Sequence, residues 1–431
     1  MSNERWGVGL APAAVVGATV ALAAVFWAPA AQANPVDAYG AGFEGHAMAG
    51  ARTALETSGA AAYANPAGLA MATATRLDLS VSDFGSSLNY NGSNGGSDSF
   101  AGAELAMVLP LPGLLKNGAV GIYGLFPTDD LARVVARDPN SPQFVQVGQL
   151  HRFALYASLA YKIGPVALGA GVQLLNSAAG SLQLSTDLAA AAVGQRVMTL
   201  DLVPAVAPVF GVAVDATEWL RFGGSYRGPG DIAVQLPSNV SLGPLGLELQ
   251  LDALTYYRPP TWSLGAAFHG SFLAVDVEAS FLQWSQAPDQ GLQATVTTTS
   301  SLLPTLTTSP SGVRLLDTPV FRVGVAVPLP ANLALFAGYA YVPTPVPSQT
   351  GPSNLLDNDR HEVSGGLSVS FGDPLGLSTG PMTFAVAGQY QALVSRQVQK
   401  QDPLDPYGDA SYGGSLFGLT ASLTLRFGAT P

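Results

Sequence analysis

The sequence predicts an all-β membrane protein, an antiparallel transmembrane β-barrel of about fourteen strands, and three observations carry that prediction. First, 48% of the 431 residues are hydrophobic and only 11% are charged, too few charges for a surface covered by water alone. Second, beyond residue 33 no apolar run reaches the ~20 residues that a membrane helix needs; the best candidate, Leu202 to Val214, is broken by Pro204 and Pro208. A closed barrel is then the remaining way to satisfy every backbone group in a bilayer. Third, from Arg76 onward apolar and polar side chains alternate, the period of strands with one face in lipid and the other in a lumen.

Residues 1–33 contain Arg5, an apolar core from Val8 to Ala28, and Ala31-Gln32-Ala33, the A-x-A pattern of a signal peptidase site. Two readings stand here: a cleaved signal peptide with the mature chain starting at Asn34, or an uncleaved helical anchor, which the length of the apolar core favours. Residues 34–75 are rich in Gly and Ala, with too few large side chains for a core of their own, so this segment has to pack against something else. Within it, Tyr63-Ala64-Asn65-Pro66 predicts a short helix and then a turn in which Asn65 caps and Pro66 takes the first helical position. An Asn-Pro pair in a plain surface loop reads the same way.

Residues 76–427 form the barrel region. Strand-like segments lie near 76–90, 99–110, 118–126, 150–163, 165–178, 197–214, 217–236, 246–268, 271–284, 313–328, 332–342, 360–371, 381–397 and 412–427. In the fourth, Phe153, Leu155, Ala157, Leu159, Tyr161 and Ile163 alternate with Arg152, Ala154, Tyr156, Ser158, Ala160 and Lys162. In the ninth, Asp276 and Glu278 share the polar face opposite Leu273, Val275 and Val277. Connections after odd-numbered strands are mostly long, such as 127–149 and 285–312, and those after even-numbered strands mostly short, such as Gly164-Pro165 and His269-Gly270. That asymmetry belongs to external loops and periplasmic turns, and a soluble sandwich has no reason to show it.

Several function classes drop out. The balance of 29 carboxylates against 18 Lys and Arg, with no basic run, argues against nucleic acid. Cysteine is absent, so thiol catalysis and thiolate metal sites are excluded. His46, His151, His269 and His361 stand apart, and no G-x-S-x-G elbow is visible, so no catalytic residue, metal or cofactor is expected.

The stretch from Ala47 to Ala70 ends in Asn65-Pro66-Ala67-Gly68-Leu69. Downstream come Trp219-Leu220-Arg221-Phe222-Gly223-Gly224-Ser225-Tyr226-Arg227, then Asp276-Val277-Glu278 with Gln283-Trp284-Ser285. Last come Ala337-Gly338-Tyr339-Ala340-Tyr341 and Asp357-Asn358-Asp359-Arg360-His361. In their order and spacing these motifs resemble the FadL-type outer-membrane long-chain fatty acid transporters and the related aromatic-hydrocarbon transporters, from about Tyr39 to Phe427. The resemblance implies a monomeric fourteen-stranded barrel in the outer membrane of a Gram-negative bacterium, with residues 34–75 as a plug inside the lumen and Asn65, Pro66 and Ala67 as its motif. It implies passive uptake of a long-chain fatty acid or similar hydrophobic molecule, captured outside and released sideways into the outer-membrane lipid. It also places the lateral opening on the third strand, where Gly118, Gly121 and Gly124 permit a bend; ordinary glycines in a crowded wall are the other reading. Outer-membrane barrels usually end on an aromatic residue that the barrel-insertion machinery reads, whereas Phe427 is followed here by Gly428-Ala429-Thr430-Pro431, a departure from the family.

Ligand contacts are expected in two places. Leu182, Leu184 and Leu188 in the third external loop, with Val240 and Leu242 in the fourth, make an apolar landing surface, or simply pack on each other to close the top. On the polar faces, parity points Arg76, Arg152, Lys162, Arg221, Arg227, Arg322 and Arg426 inward, with Asp78, Glu104, Asp276, Glu278 and Glu362. Most of these should pair with each other across the lumen, because a dry, lone charge is costly. Arg152 and Arg221 are the first choices to receive a fatty carboxylate through a forked pair of hydrogen bonds. A structural or adhesive barrel with a blocked, non-conducting lumen is the alternative function.

Overall fold

The computed structural model describes residues 35–96, 99–128, 142–144, 153–187, 192–242, 245–288, 292–298, 306–307, 312–374, 376–403 and 405–428. The signal segment expected at 1–33, Arg152 and Leu188 lie outside these residues.

The chain opens on three short helices, α1 (Pro35–Tyr39), α2 (Gly42–Ala47) and α3 (Ala61–Ala64). Gly40 joins the first two at φ +96, a backbone state closed to most L-residues, and its N–H closes the turn on the Val36 carbonyl at 2.9 Å. After α3, Asn65 leaves the helix in an extended conformation and caps a 3₁₀ turn over Pro66–Met71, its side-chain oxygen accepting the Ala67 N–H at 3.1 Å. Pro66 fits the first position because it has no N–H to leave unpaired there.

Fourteen wall strands follow: β1 (Thr75–Tyr90), β2 (Ser99–Pro110), β3 (Gly118–Pro127), β4 (Ala154–Ile163), β5 (Val166–Asp187), β6 (Ala192–Asp215), β7 (Leu220–Arg227, resuming as Gly230–Leu242), β8 (Leu245–Arg258, resuming as Thr261–His269), β9 (Ala274–Leu282), β10 (Thr318–Leu329), β11 (Leu333–Val342), β12 (Arg360–Phe371), β13 (Met382–Val398) and β14 (Ala410–Phe427). Each pairs antiparallel with its sequence neighbours, and β1 with β14 from Thr75↔Phe427 to Tyr90↔Tyr412 closes the ring. Closure leaves the wall no open edge, as a bilayer demands.

Period-two alternation sorts the side chains. Ile163, Leu264 and Leu419 are each about two-thirds exposed on the outer face, while Ser80, Ser263 and Thr420 are buried toward the lumen. Phe210, Tyr226, Trp262 and Phe281 are successive cross-strand partners on the outer face, with the Tyr226 and Trp262 rings 4.4 Å apart. Phe272, nine residues before Phe281, is 68% exposed near the other end. At ~3.3 Å per residue and a tilt of ~40° that separation spans about 23 Å along the axis, the height of a lipid-facing band between aromatic girdles.

Two departures from the expected strands matter. The third and fourth external loops are strands in their described parts: β5 and β6 run outward to Asp187 and Ala192, and the outer halves of β7 and β8 do the same. Gly228-Pro229 and Pro259-Pro260 interrupt β7 and β8 at a common level, because Pro has no N–H for the ladder. Beyond that break the outer half of β7 pairs in parallel with β5, Leu184 opposite Val240 and Thr186 opposite Leu242. The segments carrying Leu182, Leu184, Val240 and Leu242 therefore form one β-layer at the external end.

Candidate functional site

Residues 35–72 occupy the lumen, and the wall is shaped to receive them. A Cβ added to Gly121 of β3 would meet Leu69, one on Gly169 of β5 or Gly211 of β6 would meet the Asn65-Pro66-Ala67 turn, and one on Gly223 of β7 or Gly265 of β8 would meet Thr53 and Ala54. The same holds for Gly324 of β10 and Gly338 of β11 against Met48, and for Gly366 of β12 against Ala47. Eight strands thus contribute one glycine each to a collar round the inserted segment, backbone against backbone at Gly169, Gly223 and Gly338 and backbone against side chains at Gly121, Gly324 and Gly366, an approach that any added side chain would prevent. Asn65 locks the turn in place, donating from Nδ2 to the Thr53 carbonyl at 2.8 Å and the Val212 carbonyl at 3.0 Å.

The inserted segment has few long polar side chains, so the wall satisfies its backbone groups. Glu278 on β9 accepts from Thr53 N–H (3.2 Å) and Thr53 Oγ1 (2.6 Å), and Asp276 accepts from the Ala54 and Leu55 N–H groups, both at 3.1 Å. Gln391 and Gln389 on β13 donate to the Ala38 and Tyr39 carbonyls at 2.7 and 3.3 Å. Glu104 on β2 gathers four donors: Gly42 N–H (2.9 Å), Ser82 Oγ (2.6 Å), Tyr123 OH (2.9 Å) and His46 Nε2 (2.8 Å). His46 turns its other ring nitrogen to the Tyr39 carbonyl at 3.0 Å, so both nitrogens face acceptors and the imidazolium fits the site. Burial alone would pull the His46 pKa down, but the Glu104 carboxylate more than reverses this and holds it above 6.5. The lumen charges divide between two tasks: Arg76–Asp78 (2.8 Å), Arg322–Glu278 (3.1 Å), and Lys162 and Arg221 with Asp215 (2.5 and 2.6 Å) pair with one another, while Glu104, Asp276 and Glu278 also hold the inserted segment.

Above the segment lie two adjoining cavities that share Asp37, Ala38, Tyr63, Arg227, Arg322 and Glu362. One side is apolar, with Leu282, Val320, Val342 and Trp284, and Tyr257 packs on Trp284 at 6.0 Å. The other side is cationic. Arg227 lays its guanidinium 4.3 Å over the Tyr63 ring and donates from Nη1 to the Tyr63 carbonyl at 3.3 Å, and it forms no ion pair among the described residues. Arg258 donates to Tyr156 OH at 3.1 Å and to the Gly228 carbonyl at 2.7 Å. Arg360 also lines this chamber.

Of the residues singled out from sequence, Arg221 points into the periplasmic end of the lumen, where its Nε meets Asp215 at 2.6 Å beside Lys162 at 2.5 Å. It stands away from the chamber, which Arg227, on the same face of β7, enters instead. Gly118, Gly121 and Gly124 sit in β3, whose ladder to β4 runs without register shift from Gly118↔Tyr161 to Leu125↔Ala154. Gly121 faces the inserted Leu69, whereas the space beside Gly124 is filled by the Phe126 ring. Arg258, Arg360, Tyr63 and Tyr156 escaped the reading. Tyr156 carried one signal, an aromatic ring on the wet face of the fourth strand, and Arg258 another, its place before Pro259-Pro260.

On the outside of the wall, Leu79, Val81, Leu105, Phe126 and Phe384 surround a depression over Ala103 and Ala421. Among the described residues no group of His, Asp or Glu is arranged to hold a metal ion.

The family described as outer membrane protein transport protein (OMPP1/FadL/TodX) matches residues 18–427. A Pseudomonas aeruginosa FadL homologue superposes with a TM-score of 0.58 at 16% identity, covering 93% of this chain and 99% of that one. The P. putida toluene transporter TodX gives 0.58 at 18% identity over 90% and 99%, and the Ralstonia pickettii toluene transporter TbuX 0.52 at 15% over 90% and 98%. These identities speak for the fold alone. No curated protein sequence matches the chain. The family match covers nearly the whole length and agrees with the closed wall: the chain belongs to the OMPP1/FadL/TodX family, outer-membrane β-barrel transporters of hydrophobic compounds in Gram-negative bacteria, and is not an enzyme.

Proposed function

We propose that the chain admits long-chain fatty acids, or other hydrophobic molecules ending in an anionic group, by passive uptake. In this reading the cargo is captured by the external β-layer that carries Leu182, Leu184, Val240 and Leu242, then held in the chamber above the N-terminal segment, which acts as a plug. The observation that carries it is Arg227, a buried-side cation without an acidic partner among the described residues, standing opposite the apolar wall of Leu282, Val320 and Val342. That juxtaposition suits a carboxylate on an alkyl chain. Sideways release through β3 is supported by its glycines, since Gly121 is covered by the plug residue Leu69 and would be uncovered if that residue moved.

Labelled oleate uptake in cells tests this. Arg227→Gln should slow uptake about tenfold, the loss expected for one charge-assisted hydrogen bond, with the barrel still assembled. Equal entry with and without the gene would discard transport of fatty acids. The second reading, a structural or adhesive barrel, is favoured by the tight collar round the plug. It predicts that replacing Pro66 costs no uptake at all.

A further inference from the structure

Arg227 and Arg322 line both cavities above the inserted segment, and so does an acid, Glu362 on β12. Among the described residues Glu362 makes no ion pair with either arginine, and its one side-chain hydrogen bond comes from Gln389 Nε2 to Oε1. Oε2 has no partner and is not shut off from open space, so it faces the cavity. Asp37, the other acid on the stretch that the two cavities share, already accepts from the Tyr63 hydroxyl at 3.1 Å.

Both arginines keep donors to spare. Arg227 donates only from Nη1, and its Nε is buried without a partner; Arg322 donates only from Nη1, to Glu278 and Ser280. Guanidinium N–H groups and one bare carboxylate oxygen therefore look into the same space. Opposite charges held in one chamber without closing on each other are costly unless a third group joins them. A plain fatty acid cannot be that group: its carboxylate suits the arginines, but its methylenes offer Glu362 no hydrogen bond and its charge is repelled there. A head with a hydrogen-bond donor beside the carboxylate answers both sides, accepting from the guanidiniums and giving its hydrogen to Oε2. That donor is neutral. Arg227, Arg258, Arg322 and Arg360 stand against Asp37 and Glu362 round the second cavity, four cations to two acids, a field that disfavours an ammonium and accepts a hydroxyl.

We propose that the chamber selects fatty acids hydroxylated close to the carboxylate, with Glu362 taking the hydroxyl hydrogen while Arg227 and Arg322 hold the carboxylate. This narrows the anionic cargo of the transport reading, on which it rests. A site built to hydrogen-bond a hydroxyl rejects the analogue that lacks it, because its own polar group is then left unpaired.

The test measures binding of palmitate and of its 2- and 3-hydroxy derivatives to the purified full-length protein in detergent, referenced to protein-free micelles. The better hydroxy acid should bind the wild type at least about tenfold more tightly than palmitate, the return on one hydrogen bond to a charged group. Glu362→Leu should abolish that preference and tighten palmitate, which mere damage to the chamber would not do. Glu362→Met, of similar length and without an acceptor, serves should the leucine variant not assemble. A preference that survives the loss of the Glu362 carboxylate, or a wild type that binds all three acids equally, overturns the proposal and leaves transport standing. A wild type that binds none of them overturns both.

Discussion

His46 and Glu104 show how much of the plug's hold rests on single side chains. Glu104 keeps three other donors when His46 is removed, so His46→Gln should cost about 1–3 kcal/mol of plug stability, the loss of one hydrogen bond to a charged group, rather than the larger penalty of a stranded charge. The charge makes the hold depend on pH. The His46 pKa is raised on folding above 6.5, by Glu104, the Tyr39 carbonyl and the more distant Glu362, so its contribution is complete below pH 6.5 and is lost as pH rises through the higher folded value. Glu56 behaves oppositely. Burial pushes its pKa up, but Arg52, its hydrogen bond with Ser58, and Arg76 bring it down to about 2, so its contribution is complete above pH 4.5 and is lost as pH falls toward 2. The plug should be tightest between about pH 4.5 and 6.5. Hydrogen exchange at the Gly42 amide, which is bonded to Glu104, reads this directly: its protection factor should fall from pH 6 to pH 9 in the wild type and start lower in His46→Gln. A wild-type protection factor that stays level over that range would remove His46 from the account.

At the level of strands and turns, the collar makes sharp demands. A side chain at Gly211 would begin 2.1 Å from Asn65 Oδ1, so Gly211→Val should displace the cap and free residues 61–72 to protease while the barrel still migrates as a folded band. Gly351, with nothing within 4 Å, should accept alanine without effect on the same assay. Most wall strands could be read in advance because lipid on one side and lumen on the other impose a period of two that no packing detail disturbs. Asp276 and Glu278 were placed correctly on the lumen face for that reason, but that they would clamp backbone N–H groups some 220 residues away left no local trace. The outer end of β5 beyond residue 178 and the tip of β7 beyond residue 236 passed for loops for a related reason, since their parallel pairing joins residues over 50 positions apart.

Across the whole molecule, the inserted segment is bonded to β1, β2, β4, β6, β7, β9, β12 and β13 and touches the collar on further strands. Expelling it intact would break all of these together, so cargo passage should leave most of it seated. The absence of cysteine makes a clean test possible. A Cβ at Gly324 would lie 3.2 Å from that of Ala51, close to disulfide spacing, and 2.6 and 2.8 Å from Met48 Cε and Cβ, so Ala51→Cys with Gly324→Cys, in a Met48→Gly background that clears those atoms, should tie the inserted segment to the wall in an otherwise thiol-free chain. Uptake in the oxidised double variant should stay within about twofold of the reduced form, the spread expected of a neutral change. Complete arrest on oxidation would mean that the plug leaves as a body.

The seam between β1 and β14 gives this arrangement an order in time. The inserted segment precedes β1 in the chain yet reaches strands all the way round to β13, and eight wall glycines lie too close to it for any side chain between them. We expect it to take its position while the sheet is still an open ribbon, with Thr75 and Phe427 apart, so that the ring zips shut around it. Assembly therefore ends, rather than begins, at the pairing of the first strand with the last. A variant that weakens the collar should be born slowly, lingering as an unclosed sheet before it ever fails as a transporter.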